Sequence, residues 1–331
     1  MISQLLKPTL IILLIQVFSI EIQAQEVYSE EEEESAISFS GSVDAYYRSR
    51  AEAPATSFAN LNGFSLGMVN LVASHEGKKA GFVGDLVFGP RGTEAVFGSV
   101  GSSNIVNQLY AYWNVSDNTR LTIGNFNTFL GYEVISPTAN FNYSTSYAFS
   151  YGPFSHTGLK ADFSFNGGLS LMLGVFNETD ATEFQPIGSD YYGGAQLGYE
   201  FENGGAWLNA LFTDGFFQID LTAGVDVTES VYVGLNATSA SDSFSGVAGY
   251  VQLATSDALK FGIRGEYFSD TGVEAIAADE SVFDVTLSAN YSTGNLTIIP
   301  EVRLDSASAD LFDGGNSSSL SSFVLAAVYG F

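Results

Sequence analysis

Apolar residues alternate with small or polar ones along short stretches of this chain, most plainly in the last segment, SSFVLAAVYGF (321–331). Phe323, Leu325, Tyr329 and Phe331 fall on one side of this pattern, and mostly small residues fill the other side. A period of two predicts a β-strand. A strand that reaches the end of a chain needs a partner on each side, because a free strand edge pairs with other molecules. A closed barrel in a membrane supplies both partners.

The same alternation recurs along the chain and predicts about 16 strands, separated by clusters of Gly, Asn, Asp and Ser. The predicted strands are 37–48, 64–74, 80–89, 105–115, 120–128, 156–165, 168–177, 191–201, 205–213, 216–227, 230–238, 246–255, 258–268, 281–291, 295–305 and 320–331. Short turns, such as 116–119, alternate with mostly longer loops, such as 129–155. Outer-membrane barrels have short periplasmic turns and longer extracellular loops. The pattern therefore predicts an all-β fold, a transmembrane antiparallel β-barrel of about 16 strands.

Two of these strands depart from a regular alternation. The pattern in 64–74 changes phase near Gly67, which predicts a β-bulge. Pro300 falls on the lipid-facing side of 295–305, where a proline removes a ladder hydrogen bond. Either a bulge at Pro300 or a different register of that strand would accommodate it.

Charged residues within the predicted strands share one face, to which Asp226, Lys260 and Asp305 also belong. Because a basic residue near the middle of the lipid face costs about 2–4 kcal/mol, the charged face is predicted to line the lumen. The candidate pore-lining residues, including one from the loop 129–155, are Asp44, Arg48, Asp85, Glu133, Lys160, Asp162, Glu200, Asp220, Arg264, Glu266, Asp284, Glu301 and Arg303. They are either selectivity groups or solvated wall residues. The acids are expected to project into water and to give a weak cation preference.

The N-terminal segment has the features of an export signal. Lys7 precedes the apolar stretch TLIILLIQVF (9–18), and the small residue Ala24 stands at a position suited to cleavage. Residues 1–24 are therefore predicted to be a signal peptide; the alternative is a buried N-terminal helix. Residues 25–36 are predicted to be an acidic, disordered periplasmic leader, and 37–331 the barrel.

Composition narrows the classes of partner and site. The chain contains no cysteine, which excludes disulfides and thiolate metal sites. Its formal net charge of −26 disfavours nucleic acid as a partner. Although 46% of the residues are apolar, they are spread in short alternating pieces, as in a transmembrane barrel whose strands face lipid on one side and water on the other.

The segment from Gln108 to Gly158 carries more specific motifs, namely QLYAYW, IGNFNTFLGYEV and NYSTSYAFSYGPFSHTG. It resembles the OmpL-like β-barrel porins of bacterial outer membranes, which share a Gly-x-Phe strand, a Gly-Tyr-Glu-Val element, a Ser-x-Ser segment and a terminal His-Thr-Gly. The residue between the two serines is often Arg in that family and is Thr145 here. The resemblance implies an outer-membrane barrel that acts as a porin.

Loop 129–155 within this segment is long and rich in Tyr and Asn, and it allows two interpretations. It is either an extracellular loop or a loop folded into the lumen, as the third loop of general porins is. Its few charges and many aromatic residues favour the inward interpretation, with Glu133 as a candidate carboxylate at a constriction.

Together these features predict an outer-membrane porin, a passive diffusion channel for small hydrophilic solutes or ions. The alternative is a non-conducting structural or adhesive barrel. A catalytic site is disfavoured, because Ser155 and His156 are adjacent in a strand and point to opposite faces. No cofactor or metal is expected. The predicted partners are outer-membrane lipid, small solutes and, through the C-terminal strand with Phe323, Tyr329 and Phe331, the barrel assembly machinery; both a monomer and a homo-oligomer are compatible with the sequence.

Overall fold

The computed structural model describes residues 36–184, 190–273 and 275–331. The predicted signal peptide, and the predicted leader except for Ala36, lie outside the described residues. Sixteen antiparallel strands form one closed barrel, in which each strand pairs with its neighbours in the sequence and the last strand pairs with the first. The prediction of a 16-stranded antiparallel barrel is confirmed.

The strands are β1 (Ser38–Arg48), β2 (Gly63–Glu76), β3 (Ala80–Phe88), β4 (Val106–Ser116), β5 (Thr119–Asn127), β6 (Ser155–Ser164), β7 (Leu169–Phe176), β8 (Tyr192–Phe201), β9 (Gly204–Thr213), β10 (Phe216–Thr228), β11 (Val231–Ala240), β12 (Phe244–Ala254), β13 (Leu259–Asp270), β14 (Ser281–Thr293), β15 (Leu296–Ala307) and β16 (Ser319–Gly330). No boundary differs from its prediction by more than two residues. Within the described residues, two short helices, α1 (Pro90–Ala95) and α2 (Tyr147–Tyr151), and a 3-10 turn (Gly101–Ser103) lie in the loops. Neither helix in the described part of the chain is long and apolar enough to cross a bilayer.

The last strand closes the barrel. β16 pairs with β1 from Gly330 opposite Ser42 to Val324 opposite Arg48. The terminal Phe331 continues this ladder, because it exchanges two main-chain hydrogen bonds of 2.9 Å with Gly41. The C-terminal apolar run is therefore paired on both sides, as its position at the end of the chain predicts.

The two faces of the wall differ in the way that the alternation predicts. On β16 the side chains of Phe323, Leu325 and Tyr329 are exposed, whereas those of Val324 and Val328 between them are buried. Exposed apolar side chains continue on every other residue along the neighbouring strands, and the alternate residues turn inward. The outward face thus presents an apolar surface suited to lipid.

The connections at the two ends of the barrel differ in length. At one end they are turns of two to four residues, such as 117–118 between β4 and β5. At the other end lie the longer loops 49–62, 89–105, 128–154, 177–191, 271–280 and 308–318, together with the two short connections 214–215 and 241–243. This is the predicted arrangement of short periplasmic turns and longer extracellular loops.

The two irregular strands have different explanations. In β2 the residues Gly67 and Met68 together lie opposite Asp44, which is the predicted bulge, and Met68 N–H donates to the Asp44 carboxylate at 2.9 Å. Near Pro300 the pairing of β15 with β14 lapses and resumes in the same register, with Ile298 opposite Tyr291. A short gap in the ladder therefore accommodates the proline, without a bulge or a shift of register.

Candidate functional site

The long connection between β5 and β6 folds into the barrel, and we call residues 128–154 the lumen loop. Thr128 N–H donates to the Phe154 carbonyl at 2.9 Å and closes the root of the loop. Gly131 has a φ of 85°, a conformation that suits glycine, and its N–H donates at 3.0 Å to Asp220 on β10. The loop thus crosses the lumen instead of standing above it, which confirms the inward interpretation of its sequence.

The lumen loop also has local structure of its own around α2. Ser146 precedes the helix, and its hydroxyl oxygen accepts the Phe149 N–H at 3.1 Å as an N-cap. The Ser146 N–H in turn donates to the carboxylate of Glu133, earlier in the same loop, at 2.7 Å. These bonds satisfy backbone donors that would otherwise be buried without a partner.

Wall carboxylates bind pairs of consecutive backbone N–H groups in the lumen loop. Glu301 on β15 accepts from Tyr143 and Ser144 at 2.8 and 3.1 Å. Glu266 on β13 accepts from Tyr147 and Ala148 at 2.8 and 2.7 Å. Bonds of this kind to a carboxylate are stronger than bonds between neutral groups, so the wall holds two separate points of the loop.

Two buried arginines connect the wall to the lumen loop. Arg264 on β13 contacts Glu133 at 2.8 Å and Asp284 at 3.1 Å. Arg303 on β15 contacts the same Asp284 at 2.7 Å and Asp305 at 2.8 Å. The carbonyls of two loop residues complete the set, since Ser144 accepts from Arg264 at 2.8 Å and Thr145 from Arg303 at 2.7 Å. The five ionic side chains alternate in sign, so each buried charge has opposite charges beside it.

Aromatic side chains of the lumen loop fill the lumen between these polar contacts. Each of the four buried apolar clusters in the described residues contains at least one residue of this loop. The first cluster contains Ile135, Phe149 and Phe154, and the other three contain Tyr143, Leu130 and Tyr147, one in each. Tyr132 also stacks on Tyr250 of β12, with 4.1 Å between ring centroids. The loop is therefore the centre of the interior core and not a strap across open water.

Glycines in the wall make room for two of these rings. A Cβ atom at Gly262 of β13 would lie 2.1 Å from the ring of Phe141, and one at Gly234 of β11 would lie 2.8 Å from the Tyr132 ring. Both distances are too short for a side chain larger than hydrogen. The wall is thus shaped to the folded loop at positions where the sequence shows only a glycine in a strand.

Two loop tyrosines donate hydrogen bonds to wall carboxylates. Tyr143 Oη donates to Asp44 on β1 at 2.5 Å, and Tyr147 Oη donates to Asp305 at 3.1 Å. Burial raises the pKa of both tyrosine hydroxyls well above their usual range, although a nearby arginine opposes the rise at each of them. Both groups therefore remain protonated donors throughout the physiological pH range.

Most of the predicted pore-lining residues lie on the inner face but are covered by loops. Those buried against the lumen loop or the loop 49–62 are Asp44, Arg48, Glu133, Asp220, Arg264, Glu266, Asp284, Glu301 and Arg303. Asp85 is buried among Asn70, Asn107 and Gln108. The expectation that the acids project into water is wrong for these buried carboxylates, because loop groups or neighbouring wall side chains replace water as their hydrogen-bonding partners.

The three remaining candidates lie nearer to the end with the tight turns. Lys160 and Asp162 on β6 form an ion pair at 2.8 Å and line a cavity, whereas Glu200 on β8 is exposed. The cavity has a volume of about 920 Å³. Its walls are formed by the β2–β3 and β4–β5 turns and by the inner faces of β4, β5 and β6.

Other residues, which no sequence pattern indicates, also hold the lumen loop. Arg91, in α1, is buried and donates from Nε to the Ile135 carbonyl at 3.0 Å and from Nη1 to the Tyr143 carbonyl at 3.3 Å. Its guanidinium also lies 4.3 Å from the ring centroid of Phe58 in the loop 49–62. An arginine in a long, polar loop carries no pattern that indicates burial, so only the folded arrangement identifies it.

The pair weighed as nucleophile and base has other roles. His156 Nε2 lies 2.9 Å from Thr128 Oγ1, and its ring packs between Phe129 and Phe176 at 4.9 and 5.0 Å. Ser155 donates its backbone N–H to Asp180 at 2.8 Å. No cluster of metal-binding side chains is present in the described ranges of the chain.

Comparisons with known proteins agree with this architecture. A family model described as "Putative beta-barrel porin-2, OmpL-like" matches residues 36–331. No curated protein matches the chain.

Several solved structures share the fold. Salmonella typhi OmpF in complex with daunomycin superposes with a TM-score of 0.59 at 10% identity, covering 89% of this chain and 97% of that chain. An anion-selective porin from Comamonas acidovorans gives 0.58 at 11% identity, covering 90% and 100%. The trimer form of OmpT, an outer membrane protein of Vibrio cholerae, gives 0.59 at 11% identity, covering 89% and 99%. At such low identities the similarity shows the fold alone.

Proposed function

The chain belongs to the OmpL-like β-barrel porin family of the bacterial outer membrane, and from that premise we propose that it is a passive diffusion channel for small hydrophilic solutes and ions. The observation that carries this proposal is the polar cavity of about 920 Å³ inside the barrel, which opens among the tight turns. Barrels of sixteen strands are wide enough to enclose an aqueous path. Polar side chains along that path replace part of the hydration of a passing solute.

The lumen loop is the proposed control point of this path. The cavity extends to Phe126 and Asn127, where the loop begins. Beyond that point the lumen contains the loop and its wall contacts. Solutes therefore pass only through gaps beside the loop or when the loop moves. We propose that the contacts between this loop and the wall, and not the diameter of the barrel, set the size of the largest solute that passes.

We also propose a weak cation preference, which depends on buried acids and not on acids exposed to water. Asp44, Asp85, Asp220 and Glu301 have neutral hydrogen-bond donors and no ion pair in the described structure. Their charge is therefore not cancelled by a direct ion pair, although Arg48 on the same wall interacts electrostatically with Glu301. A low-dielectric barrel would focus this field into the narrow part of the lumen.

The second candidate function is a non-conducting structural or adhesive barrel. The dense contacts of the lumen loop favour it, since Tyr143 and Tyr147 are 1% and 0% exposed at the middle of the loop. Such burial is what a permanent plug would show. The two candidates differ in one measurable property, the passage of ions.

Single-channel recording in a planar bilayer separates them. We expect discrete conductance steps from the wild-type barrel and, under a KCl gradient, a reversal potential with the sign of cation preference that fades as salt rises. Assembled barrels that give no steps would establish the non-conducting alternative. Steps with a reversal potential of the opposite sign would retain the channel and overturn the cation preference.

Export and assembly complete the proposal. We propose that residues 1–24 direct export, that 25–36 remain as a periplasmic leader, and that the assembly machinery recognises the C-terminal strand through Phe323, Tyr329 and Phe331. We also propose that the barrel forms a homo-oligomer, because the outer surface is apolar and because the similar OmpT of Vibrio cholerae was solved in a trimer form. Chemical cross-linking of the barrel in outer membranes tests the oligomer directly.

A further inference from the structure

Basic side chains gather around the cavity at the tight-turn end, in a chain with a formal net charge of −26. The cavity is lined by four of the eleven Lys and Arg residues of the chain and by two acids. The four are Lys78, Lys79, Arg120 and Lys160, and the acids are Asp117 and Asp162. The local excess of positive charge is opposite in sign to the charge of the whole chain.

The cavity wall links three of these cations through one asparagine. Asn114 on β4 donates its backbone N–H to the Lys79 carbonyl at 2.8 Å and its side-chain Nδ2 to the Lys78 carbonyl at 2.9 Å. Its Oδ1 accepts from Arg120 Nε at 2.9 Å. The β2–β3 turn with its two lysines is thereby held next to the guanidinium of β5.

The guanidinium of Arg120 is oriented but not neutralised. It lies 4.1 Å from the ring centroid of Tyr112, which fixes its plane. Only Nε has a hydrogen-bond partner among the described residues, which leaves the two terminal nitrogens available. Asp162, directly opposite Arg120 on β6, is instead bonded to Lys160 at 2.8 and 3.0 Å.

We propose that this cavity binds a small multivalent oxyanion, a solute with two or more phosphate or carboxylate charges, from the periplasmic side. The fork of Arg120 suits an oxyanion, because two N–H groups can bond two of its oxygens. Lys78 and Lys79, which line the same cavity, supply further positive charge. At physiological salt the field of each cation is screened within about 8 Å. A multivalent solute that lies close to several cations at once therefore binds more strongly than a monovalent ion. The site does not depend on conduction through the lumen.

Calorimetric titration of the full barrel in non-ionic detergent, with inorganic pyrophosphate as the probe, tests this site. We expect one binding site per chain, whose affinity falls as KCl is raised. The double variant Lys79→Gln with Arg120→Gln should weaken binding about tenfold or more, because two charged contacts are lost.

The matched control is Lys260→Gln. Lys260 lies on the inner face of β13 near the tight turns, but outside the cavity, so its loss removes a positive charge from the same end of the barrel, one charge where the double variant removes two. We expect its affinity for pyrophosphate to equal that of the wild type. Each variant is first shown to be an assembled barrel by its shifted migration when unboiled.

Three results would overturn the proposal. They are no binding of pyrophosphate by the wild type, unchanged affinity in the double variant, and an equal loss of affinity in Lys260→Gln. The last would mean that the net charge of the barrel end, and not this cavity, attracts the anion.

Discussion

Glu133 shows how much the role of a single residue depends on its surroundings. Its position in the loop predicts a carboxylate in the water of a constriction. In the structure it is 5% exposed, accepts from Arg264 and from Ser146 N–H, and so holds the lumen loop to β13. Removing one partner of a buried ion pair costs about 3–5 kcal/mol, because the other charge is left poorly compensated.

We predict that Glu133→Gln loosens the lumen loop. Gln keeps the size of the side chain but loses the charge facing Arg264, whose remaining partner Asp284 limits the cost to about 3 kcal/mol. Chymotrypsin, which cleaves after aromatic residues, should then cut the loop faster in the folded barrel. Asp214→Asn, in an exposed turn, is the control and should leave cleavage unchanged. Equal resistance of Glu133→Gln and wild type would show that this ion pair does not hold the loop.

Asp180 gives the root of the lumen loop a dependence on pH. Its carboxylate accepts the N–H groups of Phe154 and Ser155 at 2.7 and 2.8 Å. Although the residue retains some exposed surface, burial of the carboxyl raises the pKa of Asp180 from 3.8 to about 7, against the lowering effect of the two N–H donors. The packed state therefore binds more protons than the open state between these two values.

The sign of the effect follows from that proton uptake. The contribution of Asp180 to packing is complete below about pH 4 and is lost as the pH rises through about 7. We predict that the Phe154 and Ser155 amides exchange their hydrogens faster at pH 8 than at pH 5.5, relative to Asp180→Asn at the same pH. The Asn variant is neutral at both values, so the ratio cancels the intrinsic dependence of exchange on pH. A ratio that does not change with pH would contradict the raised pKa.

At the scale of elements, the barrel wall and the lumen loop fit each other closely. β13 contains two glycines that differ in their surroundings, since a Cβ at Gly262 would meet Phe141 of the loop at 2.1 Å, whereas one at Gly265 would meet nothing within 4 Å. The two positions therefore form a matched pair of tests within one strand.

We predict that Gly262→Ala displaces the lumen loop and that Gly265→Ala does not. An added methyl group in a packed interior costs about 1–3 kcal/mol, and Phe141 must move to admit it. Chymotrypsin cleavage of the loop in the assembled barrel should increase in Gly262→Ala only. The same cleavage rate in both variants would mean that the loop accommodates the methyl group without leaving the wall.

At the scale of the whole molecule, closure of the barrel depends on the end of the chain. Phe331 makes two main-chain hydrogen bonds with Gly41, and the residue is 53% exposed. We predict that deleting Phe331 lowers the fraction of assembled barrel in outer membranes, measured as the fraction whose migration on a gel changes on boiling. Phe331→Leu keeps the main-chain bonds and removes only the aromatic ring, so it separates the two contributions. Assembly of the deletion at the wild-type level would show that neither contribution is needed.

The interior divides the whole molecule into two functional parts. The part next to the long loops holds the lumen loop through buried acids and arginines, and the part next to the tight turns encloses the cavity with its excess of basic residues. The proposed channel uses both parts, whereas the proposed anion site needs only the second. The bilayer and calorimetric experiments can therefore fail independently of each other.

The wall of this barrel can be predicted from the amino-acid sequence alone. A strand in lipid must place apolar residues on every second position and pair along its whole length. The alternation therefore shows whether each residue, such as Val43, Asp44 or Ala45, lies on the outer or the inner face. The turns can be predicted as well, because their length and composition are local features of the sequence. The bulge at Gly67 could also be predicted, since a change of phase in the alternation is visible in the sequence itself.

The role of the inner face, in contrast, depends on contacts that form only when the chain is folded. That Arg264 meets Glu133, that Glu301 binds the N–H groups of Tyr143 and Ser144, and that Arg91 reaches the same loop all depend on contacts between residues far apart in the chain. Alternation shows that such side chains point inward, and it contains no information about whether water or a folded loop meets them there. The physical reason is that the face of a strand residue is a local property of the backbone, whereas its partner is a property of the closed barrel.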